Sequence, residues 1–109
     1  MKISCAWMYA IGTYGFPPKV ADVYKAVREM RALGFQHGEL EGIGYENLAQ
    51  VIAQKGEIRK AYRDAGMTIS SFAVLLPEVI SMDPPTRRKA MDWFRRGDEA
   101  AAFFESASL

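Results

Sequence analysis

The stretch QHGELEGIG, Gln36 to Gly44, decides how the rest of the chain is read. It has the form of a short buried strand ending in two carboxylates and a glycine turn. Side chains alternate along a strand, so His37, Glu39 and Glu41 share one face and Leu40 takes the other. Three polar groups on one side of a buried strand are costly without a partner. That partner is a metal, a substrate or an opposite charge.

Working outward, two similar strands flank this one, and each of the three is followed by a helix. Lys2 to Tyr9 is the first strand candidate, with Ile3, Cys5, Trp7 and Tyr9 on one face and no charge on either. Ala10 to Pro18 then reads as a loop, broken by Gly12, Gly15 and Pro17-Pro18. It exceeds the usual strand-to-helix connection of about 2–6 residues, and long loops there often carry function. Lys19 to Leu33 is a helix: Val20, Val23, Tyr24, Val27 and Met30 form one apolar stripe, and Gly34 ends it. The strand from Phe35 to Glu41 follows at once.

A second helix is expected over Glu46 to Ala65, closed by Gly66. Gly56 inside it costs about 1 kcal/mol relative to alanine. Met67 to Leu76 is the third strand, stopped by Pro77. Asp83 is the N-cap of a third helix, Pro84 to Phe104, which Gly97 is expected to weaken. Gly42-Ile43-Gly44 opens like a dinucleotide fingerprint, but Asn47 stands where the third glycine would be and two carboxylates precede it.

The pattern is βαβαβα, an α/β chain with parallel strands. The units begin at Lys2, Gln36 and Thr68, steps of 34 and 32 residues; one more step lands near residues 101 to 106, where the third helix ends, and Ser106 to Leu109 would be the first residues of a fourth strand. Parallel sheets are nearly always covered on both faces. Three strands leave two open edges, and neither outer strand carries an interior charge or proline to protect its edge. Helices on one side of a curling sheet are barrel geometry, and a (β/α)8 barrel has eight such units in about 250 residues. The expectation is the first three units of such a barrel, with residues 1–109 an incomplete domain.

Composition sets the outer bounds. The 109 residues are half apolar and one quarter charged, with a formal net charge of +1. No basic stripe marks a nucleic-acid surface, and no apolar run is long enough to span a membrane. One cysteine, Cys5, and one histidine, His37, allow neither an internal disulfide nor a Cys/His zinc cluster. A reducing, cytoplasmic compartment is expected. The clusters Arg87-Arg88-Lys89 and Arg95-Arg96 read as a solvated helix face.

KISCAW, GFPPKVADVYKAVREMRALGF, HGELEGIGYENL and MTISSFAVLLP followed by MDPPTRRKAMDWF together resemble the N-terminal part of sugar phosphate isomerases/epimerases. These are xylose isomerase-like barrels, related in fold to the endonuclease IV family. The resemblance spans this chain, which covers about the first third of such a protein. It implies a parent that isomerises or epimerises a sugar or sugar phosphate with a divalent metal (Mn, Mg, Zn or Co). The parent's metal ligands lie on later strands, so the resemblance gives this chain no catalytic or metal residue, and the chain alone is expected to be inactive. By position the resemblance places Trp7, Tyr9, Glu39, Glu41 and Phe72 near the substrate, because strand carboxyl ends line the pocket of such barrels.

Each residue also has a plainer role. Glu39 and Glu41 would serve equally as members of barrel-interior ion pairs. Trp7, Tyr9, Tyr14 and Phe16 are either an aromatic wall for a sugar or packing of the first loop. His37, at the far end of its strand, reads as structural, and Cys5 as a small buried apolar group. Two other functions remain on the sequence: a small α/β module that self-associates through its open sheet edges, and an abasic-site nuclease fragment, disfavoured by the single histidine.

Overall fold

The computed structural model describes residues 3–105. The expected fourth strand at Ser106 to Leu109 lies outside the described residues. Three parallel strands, β1 (Ser4–Cys5), β2 (His37–Ile43) and β3 (Thr68–Leu75), stand in the order β1-β2-β3. Five helices accompany them: α1 (Met8–Tyr14), α2 (Val20–Ala32), α3 (Gly44–Ala53), α4 (Lys55–Asp64) and α5 (Pro84–Glu105). A 3₁₀ turn over Pro77–Ile80 joins β3 to α5.

Three expected elements are corrected. The first strand is two residues long rather than Lys2 to Tyr9, and the expected loop is largely helix α1. Trp7, Ala10, Ile11 and Tyr14 recur at i, i+3, i+4 and i+7, and Trp7 and Ala10 are buried. Helical burial of this stripe wins over strand alternation. The expected helix Glu46 to Ala65 is two helices, broken at Gln54, whose φ of −107° and ψ of 19° fall outside helical geometry. Gly56 therefore sits in the first turn of α4, where a glycine interrupts less.

The helices cover one face of the sheet. On β2, Gly38, Leu40 and Gly42 are buried, while His37, Glu39 and Glu41 keep partial exposure. The buried face packs against Val23, Val27 and Met30 of α2, Leu48 and Val51 of α3, Ile58 and Tyr62 of α4, and Ala100 and Phe104 of α5. Two glycines mark the closest approaches. A Cβ on Gly42 would lie 2.6 Å from Leu48 Cδ1, and one on Gly97 would lie 2.4 Å from Val74 Cγ2. Gly97 is thus the contact point of α5 with β3, not a weak place in the helix.

Helix ends follow the sequence signals where these are local. Gly34 and Gly66 follow α2 and α4 with positive φ. The Asp83 carboxylate accepts from Thr86 N–H at 3.2 Å, the expected cap of α5. Helix α1 is clasped to α2 by two tyrosines: Tyr9 and Tyr14 hydroxyls donate to Glu29 Oε1 at 3.0 and 2.7 Å.

This clasp gives a pH prediction. Tyr14 first and then Tyr9 hold the Glu29 carboxyl below its usual range. A depressed acid stabilises the fold above its unfolded pKa, and the contribution disappears as pH falls through the folded value. The Tyr14 phenol is pushed up to about 12, chiefly by its bond to Glu29. A raised phenol stabilises the fold below its unfolded pKa and loses that contribution as pH rises through the folded value. Its bond to Glu29 first, and then burial, raise the Tyr9 phenol as well, so ultraviolet titration of tyrosinate in Glu29→Gln should return both Tyr9 and Tyr14 toward their ordinary values. An unchanged titration curve would mean the clasp does not hold in solution.

Candidate functional site

The uncovered face of the sheet is polar along its length. Ser4, His37 and Thr68 face one another across the strands, and His37 Nδ1 lies 2.6 Å from Thr68 Oγ1. Ser4 and Ser70 hydroxyls are hydrogen-bonded to each other. Glu39 pairs in register with Ser71, and Glu41 with Ala73, toward the carboxyl end. The side chains are short on the outer strands and acidic in the centre.

Glu41 is the most unusual of these groups. Its Oε2 is enclosed and has no hydrogen-bond partner. Burial first, and the neighbouring Glu39 second, push its carboxyl above the usual range. A carboxyl in this state keeps its proton to higher pH than an ordinary glutamate and can accept from a ligand hydroxyl. Glu39 is anchored from behind, where its carbonyl accepts from the Tyr62 hydroxyl at 3.2 Å. Burial, then Glu39, also push the Cys5 thiol up, so it is a poor nucleophile.

The other sequence-selected residues do not join this face. Trp7 is 2% exposed and lies in the helix-side core at the start of α1, not at a strand end; its indole Nε1 finds no partner. Tyr9 is on α1 and is engaged with Glu29. Phe72 is buried against Phe104, ring centroids 5.1 Å apart, on the helix side. A β-bulge explains Phe72: Gly38 pairs with Ile69 but Glu39 pairs with Ser71. The extra residue, Ser70, reverses the faces beyond it. Alternation counted from Thr68 puts Phe72 beside the carboxylates, whereas the bulge turns it into the core.

Three residues were given no role at this site by sequence reasoning. Tyr45, in the first turn of α3, has an enclosed hydroxyl with no partner, and so does Glu78 Oε2 in the 3₁₀ turn. Burial first, and Glu78 second, raise the Tyr45 phenol. Nothing local in the sequence brings 45 and 78 together; the parallel pairing of Ile43 with Leu75 does. Asn47 is the third. It is buried, its Oδ1 accepts from Ile43 N–H at 2.9 Å, and its amide donates to Pro18 O at 3.2 Å. It ties the turn before α2 to the start of α3. Beside this tie runs an open groove of about 780 Å³, bordered by Pro17, Lys19, Tyr45, Gln50 and Gln54.

Among the described residues no three His, Cys, Asp or Glu side chains come together as a metal site. Glu39 and Glu41 supply two carboxylates without a third ligand, so the residues present do not by themselves fit the divalent ion the resemblance implies. No helix among the described residues is long and apolar enough to cross a membrane. What fold and site define is a class: an α/β chain with a parallel sheet, helices on one side and a polar face on the other. No protein family, curated protein or solved structure matches it.

Proposed function

We propose that this chain forms the first three units of a (β/α)8 barrel of the sugar phosphate isomerase/epimerase kind, in which its uncovered face is barrel lining. One observation carries the reading. The parallel sheet is covered on one face only, and the bare face is polar and ends in the unpartnered Glu41. Parallel sheets with a bare face conflict with the usual double covering unless the sheet closes on itself.

In this reading Glu39 and Glu41 accept hydrogen bonds from the hydroxyls of a sugar or sugar phosphate. Glu41, with its raised pKa, is also placed to hold or release a proton. The divalent ion that the resemblance implies would be held by residues of the parent outside this chain, and no role of Glu39 or Glu41 here depends on it. The isolated chain should show no metal-dependent aldose–ketose conversion. Turnover by the purified chain would overturn the assignment of the reaction to absent units.

The bare strand edges favour a second reading. The outer edges of β1 and β3 pair with no strand among the described residues. A second copy could supply the missing partner, which would make the chain a self-associating module. Sedimentation separates the two: a discrete oligomer with cooperative unfolding supports the module, and a monomer with loose packing supports the barrel segment.

Glu41→Gln gives a further prediction. A raised acid pKa means the fold prefers the protonated carboxyl, so the charged form weakens the fold above the folded pKa. That penalty fades as pH drops through it. The neutral amide should therefore stabilise the chain near neutral pH, with the gain vanishing in acid. Solvent screening of a partly exposed group holds the gain to roughly 0.5–1 kcal/mol. Urea melts at both pH values test it. An equal gain at both would show that the carboxyl was never strained.

A further inference from the structure

Helix α5 has four sides, and three are accounted for. Ala90, Gly97, Ala100 and Phe104 are buried toward the sheet. Lys89, Trp93, Arg96 and Phe103 form the side toward α3 and α4, where Trp93 packs on Tyr45 and Phe103 lies under Lys55 and Arg59. Arg88, Asp92, Arg95 and Glu99 make an exposed outer side of mixed charge. The fourth side faces away from α3 and α4, toward the outer edge of β3. It carries Arg87, Met91, Phe94 and Asp98, spaced i, i+4, i+7 and i+11 along one stripe. Met91 is 44% exposed, Phe94 is half-buried, and the two charges stand exposed at the ends. Among the described residues neither Arg87 nor Asp98 has an ion-pair partner.

We infer that this side of α5, with the β3 edge beside it, is the contact between two copies of the chain related by a two-fold axis. The stripe is complementary to itself when run antiparallel. Placing Met91 opposite Phe94 of the second copy also places Arg87 opposite Asp98, because both pairs are centred midway between Asp92 and Trp93. The two-fold repeats the arrangement. Two methionine–phenylalanine contacts then lie in the middle, and two arginine–carboxylate pairs close the ends. A parallel pairing would set Arg87 against Arg87 and Asp98 against Asp98, so charge selects the antiparallel one. The same axis, standing normal to the sheet, runs the two β3 strands antiparallel. Their outer edges, each without a strand partner among the described residues, join two three-stranded sheets into one. β3 offers eight residues for this and β1 only two, so the join falls at β3. A contact of the same surface with itself closes on a dimer. The inference rests on the self-association reading above and names its interface.

Sedimentation equilibrium of the full chain tests it, at low salt, where exposed charge pairs count most. A monomer–dimer equilibrium is expected, weakening as salt is raised. Arg87→Glu and Asp98→Arg each turn both attractive pairs into repulsive ones, so each alone should weaken the dimer about tenfold or more. Mixing the two variants in equal amounts allows a heterodimer in which one pair is native and the other has its charges exchanged. Both pairs attract again, so the mixture should recover nearly the affinity of the unmodified chain. Recovery also shows that each variant is folded. Weakening that mixing does not rescue overturns the antiparallel pairing. A dimer that the reversals leave intact overturns this interface, while self-association by another surface stands. A chain that stays monomeric at every concentration overturns both. Open-ended polymers overturn the two-fold, because they need two different surfaces in contact.

Discussion

Phe104→Ala should cost about 3–5 kcal/mol of unfolding free energy, more than any other single truncation near the end of α5. Phe104 is fully buried there. Its ring lies 5.1 Å from Phe72 of β3 and 5.8 Å from Phe103, both in tilted or edge-on geometry that adds to plain burial. Phe103 in turn lies under Lys55 and Arg59 of α4, with Arg59 Cζ 4.3 Å above its ring. One aromatic chain therefore links β3, α5 and α4. Cutting it at Phe104 leaves a cavity that the stiff strand and the long helix cannot both collapse into. A domain of this size is stabilised by only about 5–15 kcal/mol. Urea unfolding should show the midpoint falling steeply, with little change in slope. A loss below about 1 kcal/mol would mean that the end of α5 is not seated on the sheet.

The sequence carries the parts of this fold that are settled within a turn or two. The alternation in HGELE sets the faces of β2, and Gly34, Gly66 and Asp83 end or start helices by local geometry. It carries less where partners are distant. KISCAWMY alternates as a strand should, yet Trp7 starts a helical stripe because α2 offers that stripe a face to bury against. Nothing between Leu48 and Tyr62 announces the break at Gln54. The bulge at Gly38 and Glu39 is a property of two strands in register, so no reading of β3 alone could turn Phe72 inward. The candidate site divides in the same way. Glu39 and Glu41 are visible in one strand, while Tyr45 and Glu78 come within electrostatic reach of each other only after the sheet has formed.

Gly97→Ala tests whether helix propensity or packing governs α5, because the two predict opposite signs. Propensity alone favours alanine in a helix interior by about 1 kcal/mol. Packing opposes it. Gly97 is buried, and an added Cβ would stand 2.4 Å from Val74 Cγ2, well inside contact distance. Val74 is β-branched, with few side-chain positions to retreat to. Its strand neighbour Phe72 is held by Phe104, so β3 cannot shift away cheaply. Overpacking of this kind costs about 1–3 kcal/mol, so the net expected change is a loss despite the better helix former. The pair Gly97→Ala with Val74→Ala decides the mechanism. If the methyl groups collide, the double variant should recover most of the Gly97→Ala loss, giving a favourable coupling of about 1 kcal/mol or more. If the two losses simply add, the close approach of α5 to β3 is wrong. The helix-covered side of the sheet would then be looser than this packing requires, and the contrast between a sealed face and a bare one, on which the barrel proposal stands, would weaken with it.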